Sequence, residues 1–178
     1  MSSAEQPSAL EPSRPGSRFL DESREQPAAL RRLLEGDGDF ARVAAEMRER
    51  GATTVRMAGH GSSDNAASYG VYAFGLQPAW TALRDSISLT VYYGAELDLS
   101  GCTALALSQS GRTPDVVEYL RQARRRGAYT VAITNDPSSV LAREAEAVLE
   151  LRAGDEQAVA ATKTFSNQVA ALGLLAAH

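Results

Sequence analysis

The strongest constraint in this sequence is a recurring unit: a short, near-continuous apolar run, then a few glycine or hydroxyl residues, then a helix-like stretch of about a dozen positions. Thr54-Val55-Arg56-Met57-Ala58, Thr103-Ala104-Leu105-Ala106-Leu107 and Tyr129-Thr130-Val131-Ala132-Ile133 read as buried strands. Residues 80–83 and 148–151 read as shorter ones, the latter at an edge. Helical patterns separate them: Phe40, Val43, Ala44 and Met47 form a stripe that stops at Gly51, and residues 64–74, 86–93, 114–126, 138–145 and 162–177 follow. Strands alternating with helices specify a parallel sheet, and runs apolar on both sides of the pleat require both faces of that sheet to be covered. The expected class is therefore α/β.

A chain of 178 residues suits one such domain and a tail. Residues 1–18 are rich in serine and proline and poor in large apolar groups, so they cannot offset their ordering entropy and read as a disordered tail. Residues 19–38 hold Leu30, Leu33 and Leu34 at helical spacing before Gly36 and Gly38, which reads as a short leading helix; the domain proper spans residues 39–178. With Lys+Arg 18 against Asp+Glu 22 there is no basic field for a nucleic acid or an anionic membrane. The single cysteine, Cys102, excludes an internal disulfide framework, and no Cys/His grouping has metal-ligand spacing. It reads as a small inert hydrophobe. The longest apolar run, residues 169–177, is far short of the roughly 20 residues of a membrane span, and no secretory h-region is visible. A reducing cytoplasm is the expected compartment, with neither metal nor cofactor.

Ligands of open α/β sheets collect at the carboxyl ends of the strands. Two of these ends are crowded with small hydroxyl residues: Gly59-His60-Gly61-Ser62-Ser63 after the first strand, and Ser108-Gln109-Ser110-Gly111-Arg112-Thr113 after the strongest one. Thr113-Pro114 fits a helix N-cap followed by the first helical position. A helix start leaves backbone N–H groups free and partly positive, so Ser108, Ser110 and Thr113 could hold a phosphate there without a lysine. Gly111 lets the backbone approach, and the Gln109 amide suits a sugar hydroxyl or carbonyl. The same residue types also serve as ordinary caps and turn formers. Gly59-His60-Gly61 partly matches a dinucleotide fingerprint, with Asp85 at roughly the distance of a ribose-binding acid, but Asp64 stands where the third glycine belongs. His60 reads as a loop residue rather than a proton shuttle.

These residues, together with Thr134-Asn135 and Ala160-Ala161-Thr162-Lys163-Thr164-Phe165, resemble the SIS (sugar isomerase) domain. The resemblance is strongest to the first SIS repeat in the isomerase half of glutamine–fructose-6-phosphate aminotransferase and to related amino-sugar-phosphate deaminases and isomerases; Glu25-Gln26-Pro27 resembles that group too. It implies a flavodoxin-like three-layer αβα sandwich with a five-stranded parallel sheet. It also implies a phosphosugar site of Gly61, Ser62, Ser63, Ser108, Gln109, Ser110, Gly111 and Thr113, with Val159 and Ala161 touching the sugar. The implied partners are a phosphorylated sugar or amino sugar, and a second copy of the chain or a second SIS domain.

The sequence departs from that pattern in three ways. Ser2 follows Met1, so the amidotransferase's nucleophilic N-terminal cysteine is missing. The family's ring-opening histidine, proton-transferring glutamate and tail lysine belong to a second repeat or beyond it, which this sequence does not contain. Arg112 stands where the aminotransferase usually has glutamate. Aldose–ketose interconversion needs a base within reach of a carbon-bound hydrogen. Asp115, Asp155 and Glu156 are the nearby carboxylates, and they read better as helix-start and loop charges. The expectation is an N-terminal SIS half that binds substrate without the full acid–base set. A sugar-phosphate sensor is the alternative, although residues 1–38 are too short and too polar for the helix-turn-helix such regulators carry. The apolar stripe Phe165, Val169, Leu172 and Ala176 is expected to need a partner.

Overall fold

The computed structural model describes residues 16–78 and 80–178, so most of the expected tail lies outside it. In chain order the elements are α1 (Ser17–Arg24), α2 (Gln26–Leu34), α3 (Asp37–Glu49), β1 (Thr54–Ala58), α4 (Ser62–Leu76), β2 (Thr81–Arg84), α5 (Ile87–Val91), β3 (Cys102–Ser108), α6 (Pro114–Arg125), β4 (Tyr129–Thr134), α7 (Val140–Glu144), β5 (Ala147–Glu150) and α8 (Lys163–Ala177). The strands make one five-stranded sheet in the order β2-β1-β3-β4-β5, every pair parallel. This is the covered parallel sheet that the alternation specified, in the five-stranded, flavodoxin-like form that the resemblance implied. The order reverses between β1 and β3, so the crevice of such a sheet opens there, between the two hydroxyl-rich loops.

The pleat sorts side chains by size. On one face Val55, Met57, Leu105, Leu107, Val131, Ile133 and Leu149 pack against Phe40, Met47, Phe74, Leu172 and Leu175 of α3, α4 and α8. On the other, Ala104, Ala106 and Ala132 meet Val116, Tyr119, Leu120 and Leu141 of α6 and α7. Period-two alternation of Leu with Ala along β3 thus builds two unequal layers. The apolar stripe of α8 has its partner within the chain: Leu172 and Leu175 are buried in the larger core, and Phe165 and Val169 pack on it.

The leading segment differs from the single helix expected over 19–38. It is two helices, α1 and α2, and α1 already begins at Ser17, inside the stretch read as tail. Glu25 marks the junction and Pro27 takes a first-turn position of α2, where its missing N–H costs nothing. The short α1 is mostly polar, which is why composition hid it; its buried residue is a glutamate, Glu22.

Candidate functional site

Two loops meet over the carboxyl ends of β1 and β3. A Cβ added at Gly59 would lie 2.8 Å from Cβ of Ser63 and 3.1 Å from the carbonyl oxygen of Leu107, so only glycine lets the β1 loop run this close to β3. The β3 loop is knitted from its own hydroxyls. Ser108 Oγ accepts from the Gly111 N–H at 3.2 Å and shares a hydrogen bond with Thr113 Oγ1 at 3.1 Å. Ser110 Oγ accepts from the Arg112 N–H at 3.3 Å. The Gln109 carbonyl accepts from the Asn135 N–H at 3.0 Å and Thr134 Oγ1 at 3.2 Å, which ties the loop to the end of β4.

Gly111 is required twice over. Its φ is +60°, and a Cβ there would fall 2.0 Å from Ser139 Oγ, the group that caps α7 by accepting from the Ala142 N–H. Thr113 precedes Pro114 as expected, yet its hydroxyl makes no cap bond and pairs with Ser108 instead. The first-turn amides of α6 thereby go without a cap from the Thr113 side chain.

The β1 loop is held differently. Gly61 has φ +59° with open space around it. Ser62 is half-buried, and Ser63 is buried, its hydroxyl accepting from Nε2 of Gln168 on α8 at 2.9 Å. His60 is exposed, with Nε2 3.4 Å from Oδ2 of Asp115. The dinucleotide reading fails at Asp85. Its carboxylate takes Arg56 in a bidentate pair at 2.7 and 2.8 Å, the Tyr119 hydroxyl at 2.9 Å and the Ser86 N–H at 3.0 Å, so its acceptor capacity is used inside the fold. Burial and the adjacent Asp85 push the Tyr119 phenol well above its ordinary range. Burial likewise raises the Cys102 thiol, in keeping with an inert cysteine.

Beside the β3 loop lies a cleft of about 190 Å³ lined by Gln109, Ser110, Arg112, Asn135, Asp136, Asp155 and Glu156. Arg112, largely exposed, lies 3.3 Å from Asp136. Hydrogen bonds from Ser138, first from its side chain and then its N–H, with a smaller contribution from Arg112, hold the Asp136 carboxyl below its usual value. Glu156 closes the start of α8. Its Oε1 accepts from the Thr162 N–H, Thr162 Oγ1 and Thr164 N–H at 3.0, 2.7 and 3.1 Å, and Oε2 accepts from Thr164 Oγ1. Burial alone would raise this carboxyl; the four hydrogen bonds outweigh it and bring its pKa below the usual value.

Val159 and Ala161 come further along the same loop, Val159 fully exposed and Ala161 half-buried. A larger concavity of about 690 Å³ lies next to the cleft, shares Asn135 and Asp155 with it, and is otherwise lined by Arg32, Glu35, Glu150, Arg152 and Gly154. Asn135, Lys163 and Glu22 hold the site's surroundings together, although none was among the expected ligand contacts and Glu22 carried no sequence signal. Asn135 staples β4 to this loop by accepting from the Ala153 N–H and donating to the Gly154 carbonyl, both at 2.8 Å. The buried Lys163 ammonium donates to Glu25 at 2.7 Å and to the Asp155 carbonyl at 2.6 Å. Among the described residues no group of three His, Cys, Asp or Glu could hold a metal ion, and no helix is long and apolar enough to cross a membrane.

The geometry agrees with known proteins. A glutamine–fructose-6-phosphate aminotransferase (isomerizing) from Symbiobacterium thermophilum is 38% identical over 170 residues, which cover 89% of this chain and 27% of that enzyme. The chain spans only 27–28% of the first such relatives it matches. A structure from Silicibacter pomeroyi, provisionally called a phosphosugar isomerase, superimposes with TM-score 0.85 at 41% identity, covering 90% of this chain and 49% of that one. The C-terminal domain of glucosamine-fructose-6-phosphate aminotransferase from Francisella tularensis follows with TM-score 0.78 and 26% identity, over 93% and 48% of the two chains. The SIS domain family model matches residues 50–178, from the end of α3 to the end of α8 and so across the whole sheet and both loops. With sheet order, loop positions and sequence in agreement, the chain belongs to the SIS domain family.

Proposed function

We propose that this chain binds a phosphorylated sugar or amino sugar in the crevice between β1 and β3, as the phosphate-holding half of an amino-sugar-phosphate isomerase, deaminase or aminotransferase-like protein. The observation that carries this reading is the β3 loop. It gathers Ser108, Ser110, Thr113 and the uncapped first-turn amides of α6 into a set of neutral donors on a rigid turn, which suits a phosphate dianion at a helix start. Gln109 and Ser110 also line the cleft with Asp155, whose carboxylate accepts one internal hydrogen bond, from Gln157, and keeps acceptor capacity for a ligand, whereas that of Glu156 is taken up by Thr162 and Thr164. Phosphate at the donor end and hydroxyl or ammonium groups at the carboxylate end match the two ends of an amino-sugar phosphate. Gly61, Ser62 and Ser63 shape the other side of the crevice, and Val159 and Ala161 close over the sugar.

Positioning rather than proton transfer is the role we assign to these residues. A general base works best with its pKa raised toward the working pH. Glu156 is shifted the other way, Asp115 is engaged by His60, and Asp155 Oδ2 accepts from Gln157 Nε2 at 2.7 Å. The proton-transferring groups then come from a second SIS unit, either a second repeat or a second copy. The single free thiol suits work in a reducing cytoplasm.

Isothermal titration with fructose-6-phosphate, glucosamine-6-phosphate and unphosphorylated glucosamine tests the reading. Saturable binding of both phosphates and none of the free sugar is expected, weakened at least tenfold by Ser108→Ala with Thr113→Ala. Folded protein that takes up neither phosphate overturns it, and turnover by this chain alone overturns the assignment of proton transfer elsewhere.

A further inference from the structure

The connection from β5 to α8, residues 151–162, has no regular secondary structure, yet its path is fixed at nearly every step. Arg32 on α2 donates to the carbonyls of Arg152 and Ala153 at 3.0 and 2.9 Å, and Asn135 holds Ala153 and Gly154. Lys163 takes the Asp155 carbonyl, and Glu156 reaches forward to Thr162 and Thr164. The two peptides just before Val159 are held by a residue 135 positions away in sequence. Glu22 of α1 accepts from the Gln157 N–H at 2.7 Å and the Ala158 N–H at 3.2 Å through Oε1, and from the Ala158 N–H at 3.1 Å through Oε2. Glu22 is 7% exposed.

A carboxylate is an uncommon choice for a buried position unless its charge is used. Here it meets two adjacent main-chain donors with charge-assisted bonds; an amide could keep the two bonds to Oε1 but would lose the charge and turn an N–H donor toward the Ala158 N–H in place of Oε2. The clamp has one structural consequence. It sets the direction in which the chain leaves Ala158, and thus where the exposed Val159 and the following Ala161 stand relative to the β3 loop. Asp155 and Glu156, at the near end of the same connection, already form a wall of the cleft with Gln109 and Ser110.

We infer that Glu22 is a positioning residue for the sugar end of the site: α1, outside the family-matched region, pre-shapes the 157–161 segment for the ligand. This rests on the phosphosugar reading given above, and it adds a role for a helix that touches neither serine loop. A loop ordered before the ligand arrives loses less conformational freedom on binding. The phosphate end, built from the β3 loop and α6, owes nothing to Glu22.

The test is a split between two ligands of the full chain. Fructose-6-phosphate uses both ends of the site and inorganic phosphate only one. Glu22→Gln is expected to weaken fructose-6-phosphate about tenfold while leaving inorganic phosphate within about twofold. Glu22→Asp, which keeps the charge but is one methylene shorter, is expected to fall between and carries the comparison if the Gln variant does not fold. Amide hydrogen exchange at Gln157 and Ala158 is expected to accelerate in both variants. Equal weakening of the two ligands, or none, overturns the inference while the phosphosugar reading stands. An unsubstituted chain that binds inorganic phosphate but gains nothing from the sugar overturns the inference through its premise, and one that binds neither ligand overturns the phosphosugar reading as well.

Discussion

The two serine-bearing loops resemble each other in composition and differ in what holds them. The β3 loop is braced by its own hydroxyls, by the end of β4 and by the start of α7. The β1 loop is braced from beneath by Gln168 of α8, and the space around Gly61 is open. The β1 loop is held at both ends, by the close approach of Gly59 to β3 and by Ser63 on Gln168, with its open point at Gly61 between them. Under the phosphosugar reading proposed above, the braced β3 loop suits a phosphate held in one place.

Substitutions at the positive-φ glycine of each loop, Gly111 and Gly61, sharpen this contrast most. Gly111→Ala combines a left-handed backbone with a collision at the Ser139 cap, so a loss of about 3 kcal/mol is expected in urea unfolding. Next comes Gln168→Leu, which buries the Ser63 hydroxyl without a partner and should cost about 1–2 kcal/mol. Adding Ser63→Ala in the same chain removes the orphaned group and should return most of that loss. Gly61→Ala meets no neighbour but must hold φ 59 with ψ −123, a glycine-type conformation outside the left-handed helical well, about 1–2 kcal/mol. If it costs as much as Gly111→Ala, the two loops are equally braced and the contrast collapses.

The smallest effect is in acid. Glu156 has a folded pKa below its reference of 4.5, so its contribution to stability is complete above that value. The contribution is lost as pH falls through the lower, folded pKa. Glu156→Gln should flatten the acid limb of a thermal-midpoint profile below pH 4.5 and leave its slope near neutrality unchanged. Equal slopes in the two proteins below that pH would mean that the start of α8 gains nothing from the charge.

Much of this architecture was readable because it is local. β1, β3 and β4 announce themselves by continuous apolar runs, and Thr113-Pro114 marks the start of α6. The two loops showed themselves by small hydroxyl residues at strand ends, but that they flank the switch point needed the strand order. What stayed hidden joins residues far apart: Glu22 with Gln157 and Ala158, Gln168 with Ser63, and Lys163 with Glu25. Such pairs leave no periodicity, since each is one polar side chain meeting another segment only after the sheet has formed. Asp85 shows the converse, a candidate already set aside for want of a third glycine. Its spacing invited a ligand role, and an arginine on the neighbouring strand already filled it.

In the order of synthesis, α2, α3 and α4 leave the ribosome long before α8, yet α8 covers the apolar faces of all three. Asn167 of α8 donates to the Ala29 carbonyl across 138 positions of sequence, and Leu172 and Leu175 complete a core whose other members are already made. Contacts this distant make for slow folding. Until α8 arrives, the part of the larger face that it covers beside α3 and α4 is an open apolar surface, a place for aggregation and proteolysis, while β3 and α6 can already pack on the other face.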